Sequence, residues 1–231
     1  MSETFRMGVL LTLVGGYLDS YTYFTRGGVF ANAQTGNLIF MGLRTVQGDW
    51  RGALSYFFPV LAFTMGVFMV EFFQRCRKHP TVHWRQMSLL AEIFFVFIVA
   101  FLPERLDILA NITVSFICAV QVQTFRKLHG AAYATTMCTG NLRSGSELLF
   151  RCLADRDKEA GKVCLSYFGI ILIFIIGVMI GAVGARLWKE LAVLACAPML
   201  LVAFSLMFYN KPSRQKKDAD GREPNGGNTE K

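Results

Sequence analysis

Long apolar runs without a charged side chain dominate the sequence. Four of them extend over residues 52–70, 108–125, 163–185 and 191–210. Two more, residues 7–25 and 86–103, contain one acidic residue each, Asp19 and Glu92. Each run approaches the roughly 20 residues that a helix needs to cross a bilayer. Because the runs are continuous and do not alternate with polar residues, they predict helices and not barrel strands. We therefore predict an all-α integral membrane protein with six transmembrane helices.

The tetrapeptide Thr-Gly-Asn-Leu occurs twice, in weakly apolar stretches between these runs, at residues 35–38 and 139–142. The flanking residues also align, 16–20 with 120–124 upstream and 63–69 with 174–180 downstream. This pattern indicates two repeats, about 7–103 and about 108–210, within a single transmembrane domain over residues 1–210. Three spans per repeat is an odd number, so the second repeat should be inverted relative to the first.

In inverted-repeat transporters and channels, broken helices meet near the bilayer midplane and bind the solute there. The two Thr-Gly-Asn segments are expected to be such re-entrant or short helical segments, with a polar cavity between them. Glycine would supply a sharp turn, and Thr and Asn are good helix caps. The alternative is that these polar residues only join two ordinary spans by hydrogen bonds.

Positive charge follows the predicted topology and does not indicate a nucleic-acid partner, although the net charge is +8. If the two Thr-Gly-Asn segments do not cross the membrane, one side carries 18 of the 24 Lys and Arg residues. Cytoplasmic loops are enriched in these residues, so both termini are predicted to be cytoplasmic. Eight spans, with both segments crossing, remain the alternative. Residues 211–231 are charged and rich in Gly and Pro, which predicts a disordered cytoplasmic tail.

Asp19 is the strongest functional candidate, because a carboxylate inside an apolar span is costly unless it is paired, protonated or facing water. It shares a helix face with Gly15 and Tyr23. We expect an ion pair between Asp19 and Arg143, with separate extension of both side chains to the interfaces as the alternative. Glu147 lies four residues after Arg143 and could compete for it.

Three further features complete the site prediction. Glu71 and Glu92 are expected at the membrane interfaces. Gly177, Gly181 and Gly184 form a small-residue face for helix packing, within the fold or in a homo-oligomer. No catalytic residue, metal site or cofactor is predicted. The predicted solute-binding residues are Asp19, Gln34, Thr35, Gly36, Asn37, Gln123, Thr139, Gly140, Asn141 and Arg143.

Two stretches near the amino terminus carry a family resemblance. They are Gly-Gly-Tyr-Leu-Asp at residues 15–19 and Phe-Ala-Asn-Ala-Gln-Thr-Gly-Asn-Leu at residues 30–38, followed by Gly42. The chain resembles the YoaK family of bacterial multi-pass membrane proteins, a family of unknown function. The resemblance implies a six-span fold in the bacterial inner membrane. The second copy departs from the first, since Met137-Cys138 replaces Ala33-Gln34.

Two classes of function fit these features. The first is a secondary transporter or channel for a small polar solute, with Asp19 as a proton or cation site. The second is a membrane protein that does not transport, either a lipid-acting enzyme or a partner subunit. An intramembrane enzyme would need a nucleophile, a metal cluster or a pair of acids, and no such motif is evident in the sequence. Transport is therefore the favoured prediction, with the lipid bilayer and an unknown solute as partners.

Overall fold

The computed structural model describes residues 3–76, 83–125 and 138–209. Within these ranges the protein is 90% helical and contains no strand. Two 3-10 segments, Glu104–Leu106 and Lys189–Ala195, precede α5 and α8. The helices are α1 (Glu3–Thr25), α2 (Gln34–Val46), α3 (Trp50–Cys76), α4 (His83–Ala100), α5 (Asp107–Thr124), α6 (Cys138–Ala154), α7 (Lys158–Trp188) and α8 (Cys196–Tyr209).

Helices occupy all six apolar runs of the sequence, as α1, α3, α4, α5, α7 and α8. Among the described residues, three helical segments are long and apolar enough to cross a membrane: Trp50–Cys76, Glu104–Thr124 and Lys158–Met207. The last of these contains α7, a 3-10 segment and α8. The helical membrane class of fold agrees with the prediction at this level.

Both Thr-Gly-Asn segments lie at the start of short helices. The 13 residues of α2 and the 17 residues of α6 correspond to lengths of about 20 Å and 26 Å. Both are shorter than the roughly 30 Å of a hydrocarbon core. The predicted disordered tail, residues 211–231, lies outside the described residues.

The helices pack in a paired arrangement. The most extensive contacts join α1 to α7 and α3 to α5. The short helix α2 packs on α3, and α6 packs on α7. Contacts of α4 with α5, of α1 with α8, and of α4 with α8 complete the bundle. The main buried cluster is formed by side chains of α1, α4, α5 and α8, so the functional candidates of α1 and α4 face the centre of the protein.

Close approach of α1 and α7 depends on glycine. A Cβ atom at Gly177 would collide with the backbone of Leu13, and one at Gly181 would lie 2.6 Å from the Tyr17 carbonyl oxygen. In the contact of α3 with α5, a Cβ at Gly66 would lie 2.8 Å from the Phe116 carbonyl oxygen. The small-residue face of α7 is therefore used for packing within the chain.

Candidate functional site

Asp19 binds the chain that leads into α2. Its side chain is 4% exposed, and its Oδ1 atom accepts hydrogen bonds from the backbone N–H groups of Asn32 (2.6 Å) and Ala33 (3.4 Å). Its other oxygen, Oδ2, has no hydrogen-bonding partner among the described residues. Asp19 thus holds the two residues that precede α2 against α1.

The connection between α1 and α2 turns back along α1. Gly27 and Gly28 allow this reversal with φ values of 78° and 77°, which L side chains rarely adopt. Asp19 lies six residues, or about 9 Å, before the end of α1. Because Asn32 is bonded to Asp19, the chain has come back this distance along α1 just before α2 begins. The ring of Phe30 stacks on Tyr23 with centroids 5.0 Å apart, which holds the loop against α1.

Asn37 fixes this loop from within α2. It is fully buried, and its Oδ1 accepts a hydrogen bond from the Phe30 N–H (2.9 Å). Its Nδ2 donates to the Phe30 carbonyl (2.8 Å) and to Gln34 Oε1 (2.9 Å). The Gln34 amide in turn donates to the Ala31 carbonyl (2.9 Å). These bonds engage both polar atoms of Asn37 and of Gln34 within the loop.

The remaining residues of the first copy have different positions. Thr35 is exposed and does not contribute to this loop network. A Cβ atom at Gly36 would lie 2.8 Å from the ring of Phe30, so glycine allows the ring to pack on the first turn of α2. Of the predicted residues in this copy, Gln34, Gly36 and Asn37 therefore lie together, next to the loop that Asp19 binds.

The second copy begins α6 near the same carboxylate. The thiol of Cys138, the first residue of α6, is within electrostatic range of Asp19. Asn141 is buried, as its counterpart Asn37 is, whereas Thr139 and Gly140 are exposed. The residues that lead into α6, 126–137, lie outside the described parts of the chain. The charge of Asp19 thus acts on the first residue of α6, while its carboxylate binds the loop before α2.

The expected ion pair between Asp19 and Arg143 is not formed. Arg143 is exposed on α6, and the described residues show no ion pair between the two. Glu147 pairs with Arg151 (2.7 Å) and not with Arg143. The Asp19 carboxylate is buried and its Oδ1 binds backbone amides of the α2 loop, whereas the Arg143 side chain is exposed. Gln123 donates a short hydrogen bond to Glu71 on α3, away from Asp19.

Glu92 is a second buried acid, while its expected position at a membrane interface stays a prediction. The residue is 2% exposed on α4. The Nε2 group of Gln121, on α5, donates to both of its carboxylate oxygens (2.8 Å and 3.0 Å). The signal that could have found it is the one that identified Asp19, an acid alone in an apolar run. Glu71 is partly buried near the end of α3, and an end of a helix is compatible with the interfacial position expected for it.

The buried thiol of Cys118 interacts with both acids. This thiol is a neighbour of the Asn32 side chain and is within electrostatic range of both Glu92 and Asp19. We call Asp19, Asn32, Glu92, Cys118 and Gln121 the acid cluster. All five are buried. In the described ranges, no group of three or more His, Cys, Asp or Glu residues could hold a metal ion.

Arg26 joins helices at one end of the bundle, and this role was not predicted from the sequence. It is fully buried and donates from Nε to the Tyr21 hydroxyl (3.1 Å). From Nη1 it donates to Asp107 (3.1 Å) and to the Leu102 carbonyl (2.9 Å), and from Nη2 to the Val99 carbonyl (2.9 Å). It thereby ties the end of α1 to the connection between α4 and α5.

These features define a helical, membrane-type protein in which ionisable side chains are buried between apolar helices. A family model described as "Protein of unknown function (DUF1275)" matches residues 7–207. The chain therefore belongs to this family, which carries no stated activity. A search of curated proteins found no match, and neither did a search of solved structures. The matching model does not carry the name YoaK, so that resemblance stays a prediction.

Proposed function

We propose that the protein is a multi-pass protein of the bacterial inner membrane that transports a small polar solute, as a secondary transporter or a channel. The observation that carries this proposal is the buried carboxylate of Asp19, which binds the loop before α2 and interacts electrostatically with Cys138 at the start of α6. An ionisable residue buried within a membrane protein marks solute or ion pathways by default. The starts of two half-helices are the usual location of a midplane site.

Helix packing supports the proposed inverted repeats. If α1, α2, α3 and α4 are exchanged with α5, α6, α7 and α8 respectively, the contact of α1 with α7 becomes that of α5 with α3. The contact of α2 with α3 likewise becomes that of α6 with α7, and that of α1 with α8 becomes that of α5 with α4. The contact of α4 with α8 is its own counterpart. Six spans with α2 and α6 as re-entrant half-helices account for this scheme.

The geometry of α2 supports a re-entrant segment. Helix α2 begins about 9 Å back along α1 from the carboxyl-terminal end of α1, and it is about 20 Å long. It can therefore return to the side of the membrane on which α1 ends. Non-helical backbone at that depth must be covered by protein or water. The bonds from Asp19 and Asn37 satisfy part of it. The partial positive charge of a helix amino terminus would then face the solute.

The test is ligand-dependent thermal stabilisation of the purified protein, with a panel of amino acids, sugars, nucleosides and small carboxylates. A bound solute raises the apparent melting temperature by mass action. We expect stabilisation by one class in the wild type, loss of it in Asp19→Asn, and its retention in the control Glu104→Gln, which alters an exposed acid. Asp19→Asn keeps an oxygen for the Asn32 amide, so the fold should persist.

The same solute should cross the membrane of proteoliposomes that contain the wild-type protein. Stabilisation without any flux would contradict transport and would favour a partner subunit or a lipid-acting enzyme. Equal stabilisation of wild type and Asp19→Asn would place the solute elsewhere in the protein.

A further inference from the structure

We propose that Asp19 and Glu92 are two proton-binding sites within the acid cluster, and that the ion coupled to solute movement is the proton. The second part rests on the proposed transport function. The first part concerns only the protonation of two side chains, and it can be tested independently of transport.

Glu92 lacks the partners that a buried carboxylate anion needs. Both of its oxygens receive hydrogen bonds from a single amide group, that of Gln121. No Lys or Arg of the described ranges forms an ion pair with it. An unpaired anion in a low-dielectric interior is strongly disfavoured, whereas a protonated acid is tolerated. Glu92 is therefore best accounted for as a proton carrier.

Asp19 has a different environment, which suits a second and exchangeable proton. Its Oδ1 is held by the Asn32 and Ala33 amides, which favour the anion. Its Oδ2 is buried without a partner, and so is the Oδ1 atom of Asn32. A proton on Oδ2 would turn that oxygen from an acceptor into a donor while Oδ1 keeps its amide bonds.

Among the described residues, the groups around the two acids provide no counter-cation. The titratable groups that face Glu92 are the thiols of Cys118 on α5 and Cys196 on α8. Those that face Asp19 are the thiols of Cys118 and of Cys138 on α6. The charged side chains of α7, which packs on α1, are exposed: Lys158, Glu159, Lys162 and Arg186. Lys189, in the 3-10 segment that packs on α1 and α4, is exposed as well.

A proton fits this cluster better than a metal cation does. Hard cations such as Ca²⁺ or Mg²⁺ need about six oxygen ligands. Around Glu92, however, α4 and α5 are continuous helices whose carbonyls are used in their own hydrogen bonds. Both Glu92 oxygens already accept bonds from Gln121. A single proton needs only one oxygen of each acid.

Infrared spectroscopy of the purified protein tests the proposal directly, because a carboxylic acid and a carboxylate absorb at different frequencies. At neutral pH we expect the wild-type minus Glu92→Gln difference spectrum to show a buried carboxylic acid. A second acid band, absent in Asp19→Asn, should appear on acidification. The control Glu104→Gln should remove only a carboxylate band, since Glu104 is exposed.

The two sites should also be coupled, since both acids lie in electrostatic range of one thiol. In Asp19→Asn, the Glu92 acid band should be lost about one pH unit earlier during alkaline titration than in the wild type, because the neighbouring negative charge is gone. An unchanged titration would overturn the idea of one cluster. Glu92→Gln should fold as the wild type does, because it replaces a neutral acid by a neutral amide; marked destabilisation would contradict the protonated state.

A final experiment tests whether sodium binds to either acid. Replacing choline chloride by sodium chloride at equal ionic strength should leave the acid bands unchanged. Conversion of either band to a carboxylate by sodium would identify a cation site and overturn the proton assignment. If the bands behave as expected but no solute flux is found in proteoliposomes, the two proton sites stand and the transport function fails.

Discussion

Arg26 shows how a single buried cation can be fully accommodated next to an apolar helix. Its guanidinium group reaches two carbonyls, one hydroxyl and one carboxylate. Arg26 follows directly after the first apolar run, so the sequence alone suggests an interfacial side chain. Its burial depends on the connection between α4 and α5, which comes more than 70 residues later. The clamp is therefore a tertiary feature.

Replacing this arginine should destabilise the protein substantially. We expect Arg26→Ala to lower the free energy of unfolding by about 3 kcal/mol, because it leaves buried carbonyls and one carboxylate without their donor. The matched control Arg44→Ala removes an exposed ion pair with Asp49 and should cost less than about 1 kcal/mol. Denaturant titration in detergent measures both. Equal effects would mean that the buried clamp contributes little to stability.

At the scale of the helices, we expect the amino-terminal ends of α2 and α6 to lie close together. A cysteine at Ala33 should cross-link to native Cys138 through a short bifunctional reagent, within one chain, in a background where the other cysteines are replaced. The reason is that the Ala33 backbone contacts Asp19, and Cys138 is in electrostatic range of the same carboxylate.

The control is a cysteine at Val46, at the opposite end of α2 and 90% exposed. Paired with Cys138 it should not cross-link, because the length of α2 separates it from Ala33. Cross-linking from Val46 but not from Ala33 would show that the two helices meet in another orientation, and the proposed midplane site would be lost.

At the scale of the whole molecule, the proposed topology follows from charge and from the six apolar helices. Alkaline phosphatase requires an oxidising compartment for its disulfides, so it reports periplasmic positions. Fusions after residue 209 and within residues 77–82 should be inactive, and a fusion after Gly48, between α2 and α3, should be active. Opposite activities at 77–82 and after residue 209 would place an odd number of spans between these two sites, so that α6 crosses as in the eight-span alternative, and would contradict inverted repeats.

Helix positions could be predicted from the sequence because apolar length alone determines them, as in α3 and α5. Asp19 was found for the same reason, as an acid within such a run. Its partners were not found, because they are backbone amides of the α2 loop, which leave no trace in the sequence. The burial of Glu92 was not predicted, because its partner Gln121 lies on a different helix, 29 positions away.

The partners of α1 have a consequence for biogenesis. Arg26 binds residues 73 to 81 positions further along the chain, and the Tyr17 hydroxyl donates to the Ala192 carbonyl, 175 positions away. Helix α1 thus completes its contacts only after segments that are synthesised long after it. Until α7 and the following segment are inserted, its polar groups must be satisfied by water, lipid headgroups or an insertion factor. Translation that stops before residue 192 should therefore leave a product that quality-control proteases recognise.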